Sequence, residues 1–526
     1  MATATLEAGA SGEAGGARPW LRRALVAAIA LTMLYAATVL YLSGQALFGV
    51  VLLVLAAASA TIFGLERFYA TRFIFPGIVA VVVFIVFPVV YTIWLGFTNY
   101  SSFNLLDFER ATAVQLDAAV VAPGSERPFS IVDGEEGYRI FLPDEGASGG
   151  VSGGVGYLSA PLALDGAEVS VEAEAVGEPP AATLAMREAI KLRGGLGAVE
   201  VTLPDGGALR NSGLRSFAAV TPVYTREEDG RLVSNVDDTV LVPDQERGFY
   251  VDQEGKTHPP GWRVFVGAEN FERIFTSGGI RGPMLGIFLW TILFALLSTT
   301  LTFGVGLGLA TLLQWEHLAF RGLYRILLIL PYAVPAFISI LVFRGLFNQN
   351  FGEVNLILEA LFGIRPEWFT DGTLARLMIV VVNTWLGYPY MMLLAMGFLQ
   401  SVPADHRKAA ALEGAGALRV FLTITLPQIV PPFLPLLIAT FAFNFNNLVL
   451  ILLLTGGGPD IPGTIIPAGE TDILGSFTYR IAFLDSGQQF GLAGAITFLI
   501  FVVVAGLAYA NFVAMRRAAD RRFRGA

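Results

Sequence analysis

Cysteine is absent from the 526 residues, histidine occurs three times, and only 15% of the side chains are charged. Without cysteine there can be no disulfide scaffold, thiolate zinc site, iron–sulfur cluster or cysteine nucleophile. His258, His317 and His406 share no ligand spacing, so a histidine metal site is not expected. No G-x-x-x-x-G-K-[ST], G-x-S-x-G or H-E-x-x-H pattern occurs, so the chain is not expected to cradle nucleotide phosphates or to carry those hydrolytic sites. The small-residue run Gly304 to Gly308 lies in an apolar stretch, where close helix packing accounts for it. What fills the space left by charge is apolar: 54% of residues are hydrophobic and the mean hydropathy is +0.63. Disorder is excluded.

The charge is distributed unevenly. Residues 101–275 hold 28 acidic against 14 basic side chains, whereas the rest of the chain holds 15 against 20. An acidic, water-soluble insert therefore interrupts a membrane protein. No basic stripe remains, so nucleic acid is not a partner. A helix needs roughly 20 apolar residues to cross a bilayer core. Uncharged stretches of that order run over Ala24 to Leu42, Gln45 to Leu65, Phe73 to Thr98, Pro283 to Trp315, Ile326 to Phe343, Leu377 to Gln400, Pro435 to Thr455 and Gly491 to Met515. The fifth is the shortest and contains Pro331 and Pro335. The fold class that follows is an all-α polytopic membrane protein of eight transmembrane helices with a large β-rich insert after the third. Its plan is residues 1–72 for the tail and first two spans, 73–100 for the third, 101–275 for the insert, 276–515 for a core of five spans, and 516–526 for a basic tail.

Orientation follows from Lys and Arg near the span ends. With the N-terminus inside, fifteen fall on the inner side, among them Arg18, Arg22, Arg23, Arg67, Arg72, Arg321, Arg325, Arg407 and Lys408. The outer loops other than the insert carry Arg344, Arg365, Arg376 and Arg480. Both ends are expected in the cytoplasm and the insert outside. The polar leader is too long, and lacks a small-residue cleavage site, for a signal peptide. Within the insert, alternation predicts strands over Ala167 to Val176, Ala198 to Leu203 and Val220 to Tyr224, a turn at Asp229-Gly230, a helix over Ala181 to Arg193, and loops at Gly149 to Gly156 and Gly194 to Gly197. It is either a solvated cap or, the preferred reading, a docking domain.

The later spans carry uncharged polar and aromatic residues at helical spacing. Asn383, Leu386, Gly387 and Tyr390 share a face of the sixth span, and Phe443, Asn444 and Asn447 a face of the seventh. Tyr332 and Ala336 share one on the fifth if the helix stays regular past Pro335. Amides both donate and accept hydrogen bonds, and aromatic rings offer a platform for the C–H face of a pyranose. This set suits a neutral, hydroxyl-rich solute. A single intramembrane asparagine is more often glue between helices, and Asn446, pointing about 100° from Asn447, is the best candidate for that role.

A cytoplasmic loop, Ser401 to Pro427, opens with the helix-start signals Pro403 and Asp405 and is broken by Gly414 and Gly416. It predicts a helix, a glycine turn and a second short helix along the membrane surface, suited to insertion in a partner's cleft. Its Ala409, Ala410, Gly414, Ile424, Leu426 and Pro427 resemble the E-A-A-x3-G-x9-I-x-L-P motif of ABC-importer permeases, with Lys408 where those carry glutamate. Pro331 to Pro335, Val382 to Tyr390, Phe441 to Asn447, Gly457 to Asp460 and Tyr479 to Phe483 are similar to the maltose/maltodextrin permeases of that superfamily, as are the eight-span plan and the position of the insert.

The resemblance implies a type I importer core in the bacterial inner membrane, working with a second, shorter permease, two copies of a cytoplasmic ATPase that uses ATP and Mg, and a periplasmic sugar-binding protein docked on the insert. It implies that an oligosaccharide rests at mid-membrane on Tyr332, Ala336, Asn383, Leu386, Gly387, Tyr390, Phe443, Asn444 and Asn447, with Ala336 replacing the family's serine. It further implies that Lys408, Ala409, Ala410, Glu413, Gly414, Ala415 and Gly416 meet the ATPase. The chain itself is expected to bind no cofactor and to be no enzyme. An importer for another glucoside, such as trehalose, stands as an alternative. An ion-coupled secondary transporter would carry ionisable residues inside its spans, and a membrane-anchored scaffold needs no cluster of amides and aromatics there.

Overall fold

The computed structural model describes residues 19–134, 137–143, 156–180, 182–213, 216–315 and 317–524. Arg18, Ala181 and nearly all of the Gly149 to Gly156 stretch lie outside them. The chain forms two units, one from the segments before Tyr100 and after Phe265, the other from Tyr100–Phe265.

In the first unit seven helices among the described residues are long and apolar enough to cross a bilayer, with apolar spans at Ala24–Leu42, Ala46–Gly64, Thr71–Leu95, Gly278–Leu313, Gly372–Gln400, Ala417–Phe445 and Phe490–Ala510. The fifth span does not stay regular past Pro335. Arg321–Ala333 and Ala336–Leu346 meet at 93°. Pro335 has no N–H for the ladder and forces Val334 into extended backbone (φ −89, ψ 129), so the two prolines split the span. The seventh span also breaks. Its helix ends at Phe445, and Asn447 starts Leu448–Leu454 by accepting from the Leu450 N–H at 3.5 Å. Phe443, Asn444 and Asn447 therefore do not share one helical face.

The fourth and sixth spans form the central pair, and glycine sets their separation. A Cβ on Gly306 would stand 2.7 Å from the Met391 Cβ, and one on Gly387 would stand 2.6 Å from the Thr302 methyl. Small residues let the helices close to contact, which is the main attraction available between helices in lipid. Phe294, Ala295, Met378 and Met392 are fully buried along these spans, and Phe433 of the seventh span is buried beside them.

The second unit is β-rich. An eight-stranded sheet runs from Arg127–Pro128 through Ser216–Ala218, Ala208–Asn211, Val199–Thr202, Val169–Val176, Gly156–Ser159 and Gly137–Pro143 to Ser130–Gly134. Its one parallel pairing sets Val169 opposite Val199 and Val171 opposite Val201. A five-stranded antiparallel meander follows, Tyr224–Arg226 to Thr257–His258, covered by the helix Phe108–Leu116. Tyr250, Trp262, Leu232 and Leu241 form its core, and Asn104 ties it by donating to the carbonyls of Gly248 (3.0 Å) and Trp262 (3.2 Å).

Three expectations for the insert change. The run Val220 to Tyr224 is two strands in different sheets, Val220–Pro222 paired with Ala119–Val121 and Tyr224–Arg226 in the meander. The helix expected to end at Arg193 is two short ones, Met186–Lys191 and Arg193–Leu196, so Gly194 to Gly197 is largely a helical turn rather than a loop. The insert also ends at Phe265, not residue 275. Acidic Glu269 and Glu272 made Glu269–Thr276 look like insert, but Asn270 donates to the carbonyls of Gly96 (3.0 Å) and Thr98 (2.8 Å), and Ile274 is buried with Phe477 and Ile496. Amphipathic packing outweighs composition there.

Candidate functional site

A cavity of about 720 Å³ opens beside the central helix pair. All nine residues singled out from the sequence line it: Tyr332 and Ala336 from the two halves of the broken span, Asn383, Leu386, Gly387 and Tyr390 from the sixth, Phe443 and Asn444 from the seventh, and Asn447 from the break after it. The 93° bend brings Tyr332 and Ala336 to one cavity although no regular helix joins them. Thr302, Ile340, Met391, Thr440 and Asn446 also line it. No lining residue carries a charge, and the volume falls within the roughly 300–1,000 Å³ typical of small-molecule sites.

The amides inside are joined to one another. Asn447 Nδ2 donates to Asn383 Oδ1 (3.2 Å), Asn383 Nδ2 to Asn444 Oδ1 (2.9 Å), and Asn444 Nδ2 to Thr299 Oγ1 (3.4 Å). Asn383 and Asn444 are buried, at 6% and 3% exposed. This chain crosses three spans and satisfies groups that would otherwise be costly at membrane depth. It is also glue, so the two sequence readings of these asparagines coexist. The rings are left open: Tyr332 and Phe443 are 57% and 69% exposed, and the Tyr332 and Tyr390 rings lie near parallel at 19° with centroids 6.5 Å apart. This chain alone does not close the cavity.

The cavity wall is clamped beyond the Leu448–Leu454 helix. Thr455, just beyond the Leu448–Leu454 helix, bonds the Thr471 hydroxyl at 2.9 Å. The loop between them is held by Arg376, which donates to the Glu470 carbonyl (2.8 Å) and pairs with its carboxylate (2.7 Å), and by Arg480, which pairs with buried Asp472 (2.7 Å) and with Asp460. The sequence offered Arg376 as an orientation marker, and Arg480 as a marker and as part of the Tyr479 to Phe483 resemblance, without a partner for either. Their partners lie up to 94 residues away, beyond the reach of any local pattern.

In the Ser401 to Pro427 loop, helix Ala404–Leu412 is closed by a Schellman turn. Gly414 takes φ +82, its N–H bonds the Ala411 carbonyl (3.0 Å) and the Ala415 N–H bonds the Ala410 carbonyl (3.0 Å). Lys408, Ala409, Glu413, Gly414 and Gly416 are exposed, Ala410 and Ala415 partly so. The expected second surface helix is not separate: Ala417–Val420 continues through the π turn Phe421–Thr425 into the seventh span. Pro427, just past that turn, has no N–H to give to the ladder. Leu412, which the sequence reading did not mark, is 90% exposed at the tip.

Residues 106–267 match the maltose transport system permease protein MalF P2 domain, 301–518 the binding-protein-dependent transport system inner membrane component, and 20–67 the N-terminal transmembrane helices of MalF. The maltose/maltodextrin transport system permease protein MalF of Vibrio parahaemolyticus is 45% identical over 95% of this chain and 96% of its own. That of Vibrio cholerae is 45% identical over 94% of both, and that of Escherichia coli K12 is 44% identical over 95% of this chain and 97% of its own. With the spans, the β-rich insert and the uncharged cavity in place, the chain belongs to the MalF family and is a multi-pass inner-membrane permease subunit of an ABC importer.

Proposed function

We propose that the permease carries maltose and maltodextrins, and that the sugar rests in the cavity between the broken fifth span, the sixth and the seventh. The observation that carries this reading is the convergence of Tyr332, Tyr390, Phe443 and the asparagines on one uncharged cavity. The aromatic faces take the C–H side of a pyranose and the amides its hydroxyls, while the absence of charge removes any reason for an ionic solute to enter. A second, shorter permease supplies the missing wall beside Tyr332 and Phe443.

The energy comes from elsewhere. Two copies of a cytoplasmic ATPase, loaded with ATP and Mg, grip the Ala404–Leu412 helix and its Gly414 turn. Their closure is passed through the Gly414 turn to the seventh span, which the segment from Ala417 enters as a continuous helix. Alternation of the cavity between outward and inward exposure then follows ATP, because ATP binds the two states differently. The acidic insert lies in the periplasm and receives the sugar-binding protein, and both ends of the chain are cytoplasmic. The test is sugar-stimulated ATP hydrolysis and uptake by the reconstituted complex with maltose, maltodextrins and trehalose in turn. Response to maltose and maltodextrins is the expected result. A response to trehalose alone moves the assignment to another glucoside, and cation-driven uptake without the ATPase ends it.

A further inference from the structure

The two broken spans divide their halves between the same two cores. In the fifth, Leu328 and Ile329 before the bend pack in the core of Met391 and Met392, whereas Ile340 and Phe343 beyond it pack in the core of Met378 and Ile379. In the seventh, Ile429 and Phe433 belong to the first of these cores, and Leu450, Ile451 and Leu454 to the second. The fourth and sixth spans run through both as unbroken helices. A push entering at Leu426–Phe445 therefore meets a break at Asn446 and Asn447, and it is absorbed there unless Leu448–Leu454 is held to the continuous spans.

What holds it is a buried arginine. Arg480 pairs with Asp472, which is fully buried, and with Asp460, which is exposed. Two glycines make its seat, since a Cβ on Gly457 or on Gly469 would stand 2.8 Å from the Arg480 Nη1. Asp472 also accepts from the Gly469 N–H (2.8 Å) and the Ser476 hydroxyl (2.7 Å). The clamped segment is tied in turn to the fourth span: Trp290 Nε1 donates to the Thr471 carbonyl (3.4 Å), and the Thr291 hydroxyl accepts from the Leu474 N–H (3.0 Å). Arg376 of the sixth span lies over the Trp290 ring at 5.1 Å. A buried ion pair adds little net stability over apolar residues of the same volume, and its best-attested use is to fix one arrangement among several.

We infer that Arg480, acting through Asp472, is a positioning residue for transport. It fixes Leu448–Leu454 to the fourth and sixth spans, so that movement received by Leu426–Phe445 crosses the Asn446 and Asn447 break and the two cores shift as one body. This rests on the reading that ATPase closure enters through the seventh span. Asp460 is the dispensable partner, because an exposed ion pair contributes little.

The test is maltose uptake and ATP hydrolysis measured together in proteoliposomes holding the complete importer, read as sugar moved per ATP. Arg480→Met alone would strand the Asp472 charge, so it is combined with Asp472→Asn, which keeps an acceptor for the Gly469 N–H and a partner for Ser476. Asp460→Ala is the comparison. The double variant should assemble and hydrolyse ATP while moving about two- to thirtyfold less sugar per ATP, and Asp460→Ala should stay near wild type. A merely structural role would lower uptake and hydrolysis together, in proportion to the assembled complex. That result overturns the inference, as does failure of the double variant to assemble. An equal loss in Asp460→Ala also overturns it, by moving the pin to the exposed carboxylate. If wild type and the double variant move the same sugar per ATP, only the Arg480 assignment falls. If wild type moves no maltose with ATP, the reading beneath it falls as well.

Discussion

The cavity wall and the Ser401 to Pro427 loop dispose of their chemistry in opposite ways. Around the cavity, Asn383, Asn444 and Asn447 satisfy one another and Thr299 across three spans, and the wall behind them is pinned by Arg376 and Arg480. On the loop, Leu412 is 90% exposed, Lys408 is bare and only the Gly414 turn holds the shape. A site for a small neutral ligand has to be rigid before the ligand arrives, because each group ordered by binding subtracts from affinity. A surface for a protein partner keeps its contacts unmade until the partner supplies the other half. In this chain, internal satisfaction marks the proposed ligand site and exposure marks the proposed docking site.

That contrast can be broken at either end. Substitution of Gly414 by valine forces a branched side chain into φ +82, a strain of about 1–3 kcal/mol. Nothing crowds the position, so the effect should fall on coupling: sugar-stimulated ATPase activity should drop by more than about tenfold while the chain still inserts. Normal coupling would show that the turn is not the lever. Leu412→Asp should next cut ATPase copurification strongly with little change in the melting temperature of the permease itself, since the side chain touches almost nothing. A comparable loss of permease stability would mean that Leu412 already has a place to pack.

At the cavity the order of effects is reversed. Asn444→Leu leaves the Asn383 amide without its acceptor, so thermal stability should fall by about 1–3 kcal/mol together with transport. A stable, assembled but inactive variant would show instead that Asn444 serves the ligand alone. Tyr390→Ala removes an exposed ring and should weaken maltose binding severalfold with assembly and stability unchanged. The smallest effect concerns the insert, where Asp252 is held below the ordinary carboxylate range by its hydrogen bond from His258 and by the Lys256 and Glu254 N–H groups. A depressed carboxylate stabilises above its unfolded pKa and loses that contribution as pH falls through the lowered value. Faster amide exchange at 252–258 in Asp252→Asn should therefore appear at pH 7 and fade in strong acid, and a difference that grew in acid would contradict the sign.

Much of the site was legible before the structure. The nine cavity residues stand out as amides and aromatics in runs that lipid otherwise keeps apolar, and all nine line one cavity. Helix Ala404–Leu412 and its glycine stop are written in local signals, Pro403, the alanines and Gly414. Less legible were the ends of elements. Pro335 was visible, but not that it would turn the chain by 93°. The Asn446 and Asn447 break carries no proline or glycine, and Glu269–Thr276 was assigned by its acids although its apolar side decides where it packs.

By itself the sequence determined the long apolar spans, the place and β character of the insert, and the absence of charge around the cavity, because bilayer thickness and desolvation act on every residue of a stretch at once. Tertiary structure alone decided which asparagines face each other. Asn383 and Asn444 are 61 positions apart, and whether an amide is consumed or available depends on what stands within 3 Å of it rather than on its neighbours in the chain.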